Sequence, residues 1–212
     1  MKVRKVTVPI PQHSPTLNSS LPNKPLKAVY WGAMGSGYDL QTIIDVAARW
    51  KGEDVFPFQI HFAGTGSQAN QLMTNSKLLM TEERIVFHGF LQKAAITDLL
   101  LSSHLALVPN RPDSLVACPY KAGEYAAAGL PMLSCLGGEL GDLIKQRDAG
   151  SEYDEGDAAS LQAAFQNYST DPDRLKQQSL NARNMAEALF DREASYRELT
   201  GFILGNDSPA TQ

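Results

Sequence analysis

Lys121 and Glu124 lie three residues apart in the stretch Asn110 to Pro131, NRPDSLVACPYKAGEYAAAGLP, and are the side chains of this sequence best suited to recognise a ligand. A lysine ammonium meets a phosphate as a point charge with three donors. A glutamate can accept two hydrogen bonds from a vicinal diol such as that of a ribose. The stretch follows an apolar run, His104 to Val108, and closes on Gly129-Leu130-Pro131, a helix stop before a second apolar run, Met132 to Leu136. The order is strand, loop, short helix, strand, with Glu124 expected on the first turn of the helix. In an open parallel sheet the loops at the carboxyl ends of the strands hold the ligand. A helix N-terminus there offers unpaired N–H groups and a partial positive charge, so an anion is the expected guest and Lys121 its counter-charge.

Two glycine clusters follow apolar runs elsewhere. Gly32-Ala33-Met34-Gly35-Ser36-Gly37 is not in dinucleotide order; it reads either as a tight turn or as backbone from Gly35 to Tyr38 open to a pyrophosphate. Gly64-Thr65-Gly66 offers the same two readings, with the turn at least as favoured. His88 ends an apolar run, and the backbone of His88-Gly89-Phe90 is a candidate for pairing with a nucleobase edge, whereas His61 and His104 read as structural. Arg111 and Asp113 stand before the key helix, either as contacts to phosphate and sugar hydroxyls or as solvated loop charges. No nucleophile-base order, metal cluster or acid-base carboxylate pair stands out, so no catalytic residue is assigned. Catalysis here would be positional and electrostatic.

The supporting elements follow from periodicity. Strands are expected near 27–32, 57–63, 84–88, 103–108, 131–136 and 150–153. Between them, Leu40 to Trp50 places Ile43, Ile44, Ala47 and Ala48 on one helical face, and Ala95 to Leu101 behaves alike. Six alternations predict an α/β fold: a doubly wound, Rossmann-like parallel sheet of about six strands. Helices over Ala158–Tyr168 and Asp171–Phe190 are expected to pack on it, the latter capped by Asp171-Pro172 and presenting Leu175, Leu180, Met185 and Leu189 as an apolar stripe. Residues 1–26 hold five of the twelve prolines and read as a linker, with only Val3 to Ile10 strand-like; 205–212 read as a frayed tail.

At 212 residues, 43% hydrophobic and 20% charged, the chain has the length for one sizeable core. A net charge of −4 gives no electrostatic footprint for nucleic acid or an anionic membrane. No apolar run approaches the roughly 20 residues of a membrane span, and Pro9 and Pro11 interrupt any secretory signal, so a cytoplasmic location is expected. Cys118 and Cys135 lack metal-ligand spacing.

The segment Tyr120-Lys121-Ala122-Gly123-Glu124-Tyr125-Ala126-Ala127-Ala128-Gly129-Leu130-Pro131 resembles the donor-binding signature of GT-B glycosyltransferases, especially bacterial members of glycosyltransferase family four, with their Ser-Lys-x-x-Glu-Tyr-x-Ala-x-Gly-x-Pro pattern. Further matches recur in order from about Lys27 to Phe190: Tyr30 to Gly35 with Tyr38-Asp39-Leu40, Phe62 to Gly66, and Val86 to Phe90. Two features depart. Many relatives carry a second Glu eight positions before the one matching Glu124, where this chain has Val116. The Arg and Lys that often hold the diphosphate after the first strand are replaced by Gly35-Ser36-Gly37.

The resemblance implies the donor-binding half of a retaining glycosyltransferase of surface polysaccharide or glycoconjugate synthesis. Glu124 would hold the ribose. Lys121, the N–H groups of Cys118 and Tyr120, the loop Gly35, Ser36 and Gly37, and Arg111 would meet the diphosphate, and His88, Gly89 and Phe90 would line the base. The implied partners are a nucleotide sugar and an acceptor domain preceding residue 27, with membrane contact only indirect, at the inner face and through the full-length enzyme or its acceptor. No cofactor or metal is implied. The alternative is a non-catalytic nucleotide-sugar sensor on the same fold.

Overall fold

The computed structural model describes residues 25–50, 57–81, 83–114, 116–191, 196 and 200–201. Six parallel strands form one sheet: β1 (Leu26–Trp31), β2 (Phe58–Ala63), β3 (Ile85–Gly89), β4 (Leu105–Val108), β5 (Met132–Ser134) and β6 (Gly150–Glu152). Their order across the sheet is β3-β2-β1-β4-β5-β6, so the chain winds outward from β1 in one direction and then, from β4, in the other. β1 and β4, neighbours that are far apart in sequence, define the point where the order reverses and where loops diverge to leave a crevice.

Among the described residues, seven helices connect or flank the strands: α1 (Leu40–Arg49), α2 (Ala69–Leu78), α3 (Lys93–Leu101), α4 (Tyr120–Ala127), α5 (Gly138–Gln146), α6 (Ala158–Thr170) and α7 (Pro172–Leu189). Strands covered on both faces read as continuous apolar runs, and β4 is buried at every position. Alternation within β1 splits the core. Ala28 and Tyr30 join Ile43, Ile44, Leu161 and Phe165 on the α1 and α6 side, while Val29 joins Tyr125, Ala126, Leu140, Ala182 and Met185 on the α4, α5 and α7 side.

The expected strands and the doubly wound fold are present, with no strand end shifted by more than two residues. Two helices, α2 and α5, were not anticipated. α2 buries only Leu72 and Ser76, which gives no apolar stripe to read, and α5 opens on Gly137-Gly138 as a loop would. The stripe expected on α7 is corrected: Leu180 and Leu189 are exposed. The buried face is instead Leu175, Gln178, Ser179, Ala182, Met185 and Ala186, because small residues allow close approach to α4. Asp171 does cap α7, accepting from Arg174 N at 2.9 Å, with Pro172 in the first turn. The strand-like Val3 to Ile10 and the tail 205–212 lie outside the described residues.

Candidate functional site

The carboxyl ends of β1 and β2 continue beyond the strands as two zipped loops. Gly32 N donates to Ala63 O at 2.9 Å, Met34 N to Thr65 O at 2.9 Å, and Gln68 N to Met34 O at 2.9 Å. This closeness requires glycine. A Cβ on Gly64 would lie 1.9 Å from Gly32 O and one on Gly66 2.3 Å from Met34 O, and Gly64 has a φ of +137° besides. Of the two readings for Gly64-Thr65-Gly66, the tight packing of backbone on backbone explains both glycines.

Gly35-Ser36-Gly37 differs. Ser36 and Gly37 are exposed, and a Cβ on Gly37 would meet nothing. This short stretch is tied down at its ends by Tyr38 N donating to Gly35 O at 3.2 Å and Arg111 N to Gly37 O at 3.1 Å. A bridge between Tyr38 and Asn110 joins it to the β4–α4 loop, across the reversal of strand order. Behind it, Asp39 is buried and receives hydrogen bonds from Thr42 Oγ1 at 2.7 Å and Gly156 N at 2.9 Å. The Asp39 carboxylate is thereby committed to holding the loop against the β6–α6 connection.

Lys121 enters this region from the first turn of α4. Only 3% of it is exposed, and among the described residues its Nζ meets no hydrogen-bond acceptor. The ammonium lies between two aromatic faces, 4.6 Å from the centroid of Tyr30 and 4.6 Å from that of Tyr38. A Cβ on Gly32 would stand 2.7 Å from Nζ, so that glycine, at φ +141°, is what makes room for the cation. Burial lowers the Lys121 pKa to about 8. A buried cation with no acceptor among the described residues is an unbalanced charge.

The other expected residues gather unevenly. Glu124 is half-buried and falls on the second turn of α4, one turn later than expected. Tyr120 is 70% exposed and packs edge-on to Trp31, with ring centroids 6.1 Å apart. Cys118 is half-buried; burial and then the charge of Glu139 raise its thiol pKa. Arg111 pairs with Glu155 at 2.6 Å, and Asp113 is exposed.

At the β3 end, Phe90 is 70% exposed and Gly89 O accepts from Gly64 N at 2.7 Å, so part of the backbone proposed for the base already serves the loop zipper. The His88 ring stacks on His61, with Nε2 and Nδ1 2.8 Å apart, and His61 Nε2 lies 3.1 Å from Gln59 Oε1. His61 is thus structural, as is His104, whose Nδ1 accepts from Lys27 N at 2.9 Å. Sequence reasoning passed over Tyr30, Tyr38 and Asp39 as site-forming residues. The signal available was a tyrosine on either side of the glycine cluster.

A cavity of about 800 Å³ lies at the opposite end, where α1 and α2 finish, among Arg49, Trp50, Leu78, Leu79, Met80 and Arg84. It is remote from the strand carboxyl ends and gathers none of the residues above. Among the described residues no helix is long and apolar enough to cross a membrane.

A parallel sheet in the order 3-2-1-4-5-6, with helices on both faces, defines a Rossmann-like domain. The chain belongs to the family described as "Glycosyl transferases group 1", which it matches over residues 17–185. It is 23% identical over 186 residues to the "Putative colanic acid biosynthesis glycosyltransferase WcaL" of Salmonella typhimurium, covering 86% of this chain and 46% of that protein. The chain therefore spans about half the length of the curated relatives it matches. Among solved structures, Anabaena Alr3699/HepE in complex with UDP and glucose aligns with a TM-score of 0.73 at 15% identity, over 86% of this chain and 49% of that one. The lipopolysaccharide outer core galactosyltransferase WaaB aligns at 0.62 and 19% identity, over 98% and 54%. At such identities the structural likeness establishes the fold.

Proposed function

We propose that this chain is the nucleotide-sugar-binding half of a GT-B glycosyltransferase of the family-four type. It would act with retention of configuration in the synthesis of a surface polysaccharide or glycoconjugate. The observation that carries this reading is the Lys121 ammonium, buried with no acceptor among the described residues and seated against Gly32 at the reversal point of the sheet. The diphosphate lies over Gly35–Gly37 and the N-terminus of α4, with the N–H groups of Cys118 and Tyr120 nearby, and Lys121 supplies the charge that the loop lacks. Glu124 takes the ribose diol, and His88, Gly89 and Phe90 border the base. Arg111 reaches a phosphate only by leaving Glu155. The leaving diphosphate is met by fixed N–H dipoles and one ammonium, so the proposal calls for no metal.

Support comes from the family membership and from neighbours such as HepE, whose structure holds UDP and glucose. The acceptor site, a further domain before residue 27, the cytoplasmic location and contact with the inner membrane face belong to the same proposal. One observation favours a non-catalytic sensor instead: Val116, 40% exposed, stands where many relatives carry an acid.

Calorimetry with UDP-glucose, UDP and uridine tests the binding reading. UDP should bind more tightly than uridine, and Lys121→Ala should remove most of the difference. Glu124→Gln should weaken both, by the ~1.5–3 kcal/mol typical of hydrogen bonds to a charged group. Equal affinities for UDP and uridine, unchanged in Lys121→Ala, would refute it. Transfer restored by adding an amino-terminal acceptor domain, and absent without it, separates the transferase from the sensor.

A further inference from the structure

We propose that Tyr38, backed by Tyr30, is a positioning residue for donor binding, the two rings holding the Lys121 ammonium by their π faces so that its charge and its N–H donors stay available to a diphosphate. The inference rests on the reading of Lys121 given above and adds the means by which the cation is kept in wait.

A buried ammonium must be held by something. A carboxylate would hold it more strongly but would cancel the charge the ligand needs, and backbone carbonyls would consume its donors. An aromatic face attracts a cation through the ring quadrupole while doing neither. Here both faces stand 4.6 Å from Nζ and meet each other nearly edge-to-face, with centroids 5.8 Å apart and planes at 65°.

Each ring is itself fixed. Tyr30 is fully buried in β1 and its hydroxyl donates to Ala33 O. Tyr38 is held by its own backbone, through Gly35 and Asn110, and its half-buried ring packs against the core. Burial raises the Tyr30 phenol far above its ordinary range, so that ring stays neutral and does not become a counter-ion. The adjoining acid, Asp39, is turned away to Thr42 and Gly156. On α4, the Tyr125 hydroxyl accepts from Trp31 N at 3.0 Å, and Tyr120 packs on Trp31.

The test uses the whole chain, with UDP and uridine as probes. Tyr38→Leu should weaken UDP binding about 5- to 10-fold, the worth of one cation–π contact to a half-buried ring. Uridine affinity should not change, and Tyr38→Phe, which keeps the face and loses only the hydroxyl, should match the parent protein. A merely structural role for Tyr38 would lower both affinities together, and that result, or UDP binding unaffected by Tyr38→Leu while Lys121→Ala loses it, overturns the proposal alone. If UDP binds no better than uridine and Lys121→Ala changes neither, the reading of Lys121 falls and takes this inference with it. In the unsubstituted protein the ε-methylene protons of Lys121 should resonate upfield under two ring currents; ordinary lysine shifts would overturn the proposal whether or not the variants fold.

Discussion

Replacing Lys121 by methionine should make this protein more stable and less able to bind. The lysine pKa falls from 10.5 to about 8, and burial is the cause. At ~1.4 kcal/mol per pK unit, keeping the ammonium charged inside the fold costs about 3 kcal/mol at neutral pH. The two ring contacts return roughly 1–2 kcal/mol of that. Methionine fills a similar volume with no charge and can lie against the same rings, so a net gain of about 1–2 kcal/mol is expected. For a chain of this size that raises the melting temperature by about 3–6 °C.

The pH dependence checks the cause. Because the folded pKa is the lower one, the unfolded chain binds the proton more tightly between pH 8 and 10.5. Lys121 therefore adds stability as pH rises through that window, relative to Lys121→Met, in which the rise is missing. Differential scanning of both proteins from pH 7 to 10.5, with and without UDP, gives the melting temperatures and the shift caused by the ligand. A variant that melts at or below the parent temperature, follows the same pH profile and keeps its UDP shift would refute the reasoning.

Gly64→Ala should destabilise the fold by more than ~3 kcal/mol, because its Cβ would meet Gly32 O at 1.9 Å on a backbone with φ of +137°. Gly37→Ala, with nothing near its Cβ, should stay within about 1 kcal/mol, and chemical denaturation of the two distinguishes a structural glycine from an open one. Burial first, then the neighbouring His88 and Lys27, lower the His61 pKa from 6.5 to about 4, so the neutral ring is the folded form. Stability from this site is complete above pH 6.5 and is lost, by up to about 3 kcal/mol, as pH falls toward 4. His61→Gln should flatten that acid limb in a melting series, and an unchanged limb would count against it. Asp171→Ala should cost about 1 kcal/mol in urea unfolding by removing the side-chain cap on Arg174 N.

Fold and site differed in how far they could be read from sequence. The sheet was legible because β1, β2 and β4 are covered on both faces, and double burial writes itself as an uninterrupted apolar run. α7 was only half legible. Its buried face includes Ser179, Ala182 and Ala186, and small residues in a helix look like surface, while the exposed Leu180 and Leu189 look like core. The candidate ligand residues were legible as types: Lys121 and Glu124 stand out beside the glycine loops. The burial of Lys121 was not, since it depends on Tyr30, Gly32 and Tyr38 converging from about ninety positions earlier in the chain. Nor could sequence order show that Gly64 and Gly66 serve the packing of two loops while Gly37 stays open.

The helix that carries Lys121 and Glu124 is held from behind by α7. Ser179 Oγ donates to Gly129 O at 2.6 Å, Arg183 Nη1 to Ala127 O at 2.6 Å, and the Phe190 ring lies where a side chain on Gly123 would be, its nearest atom 3.3 Å from that Cβ. During synthesis the ribosome makes Gly129 well before its partner Ser179, which follows 50 positions later. At ~5–20 residues per second that interval is about 3–10 s, in which the strands can pair while the site helix has no backing. A nascent chain stalled before α7 should therefore have most of its sheet and fail to be retained on a UDP matrix, and ligand capture should begin only once α7 has emerged.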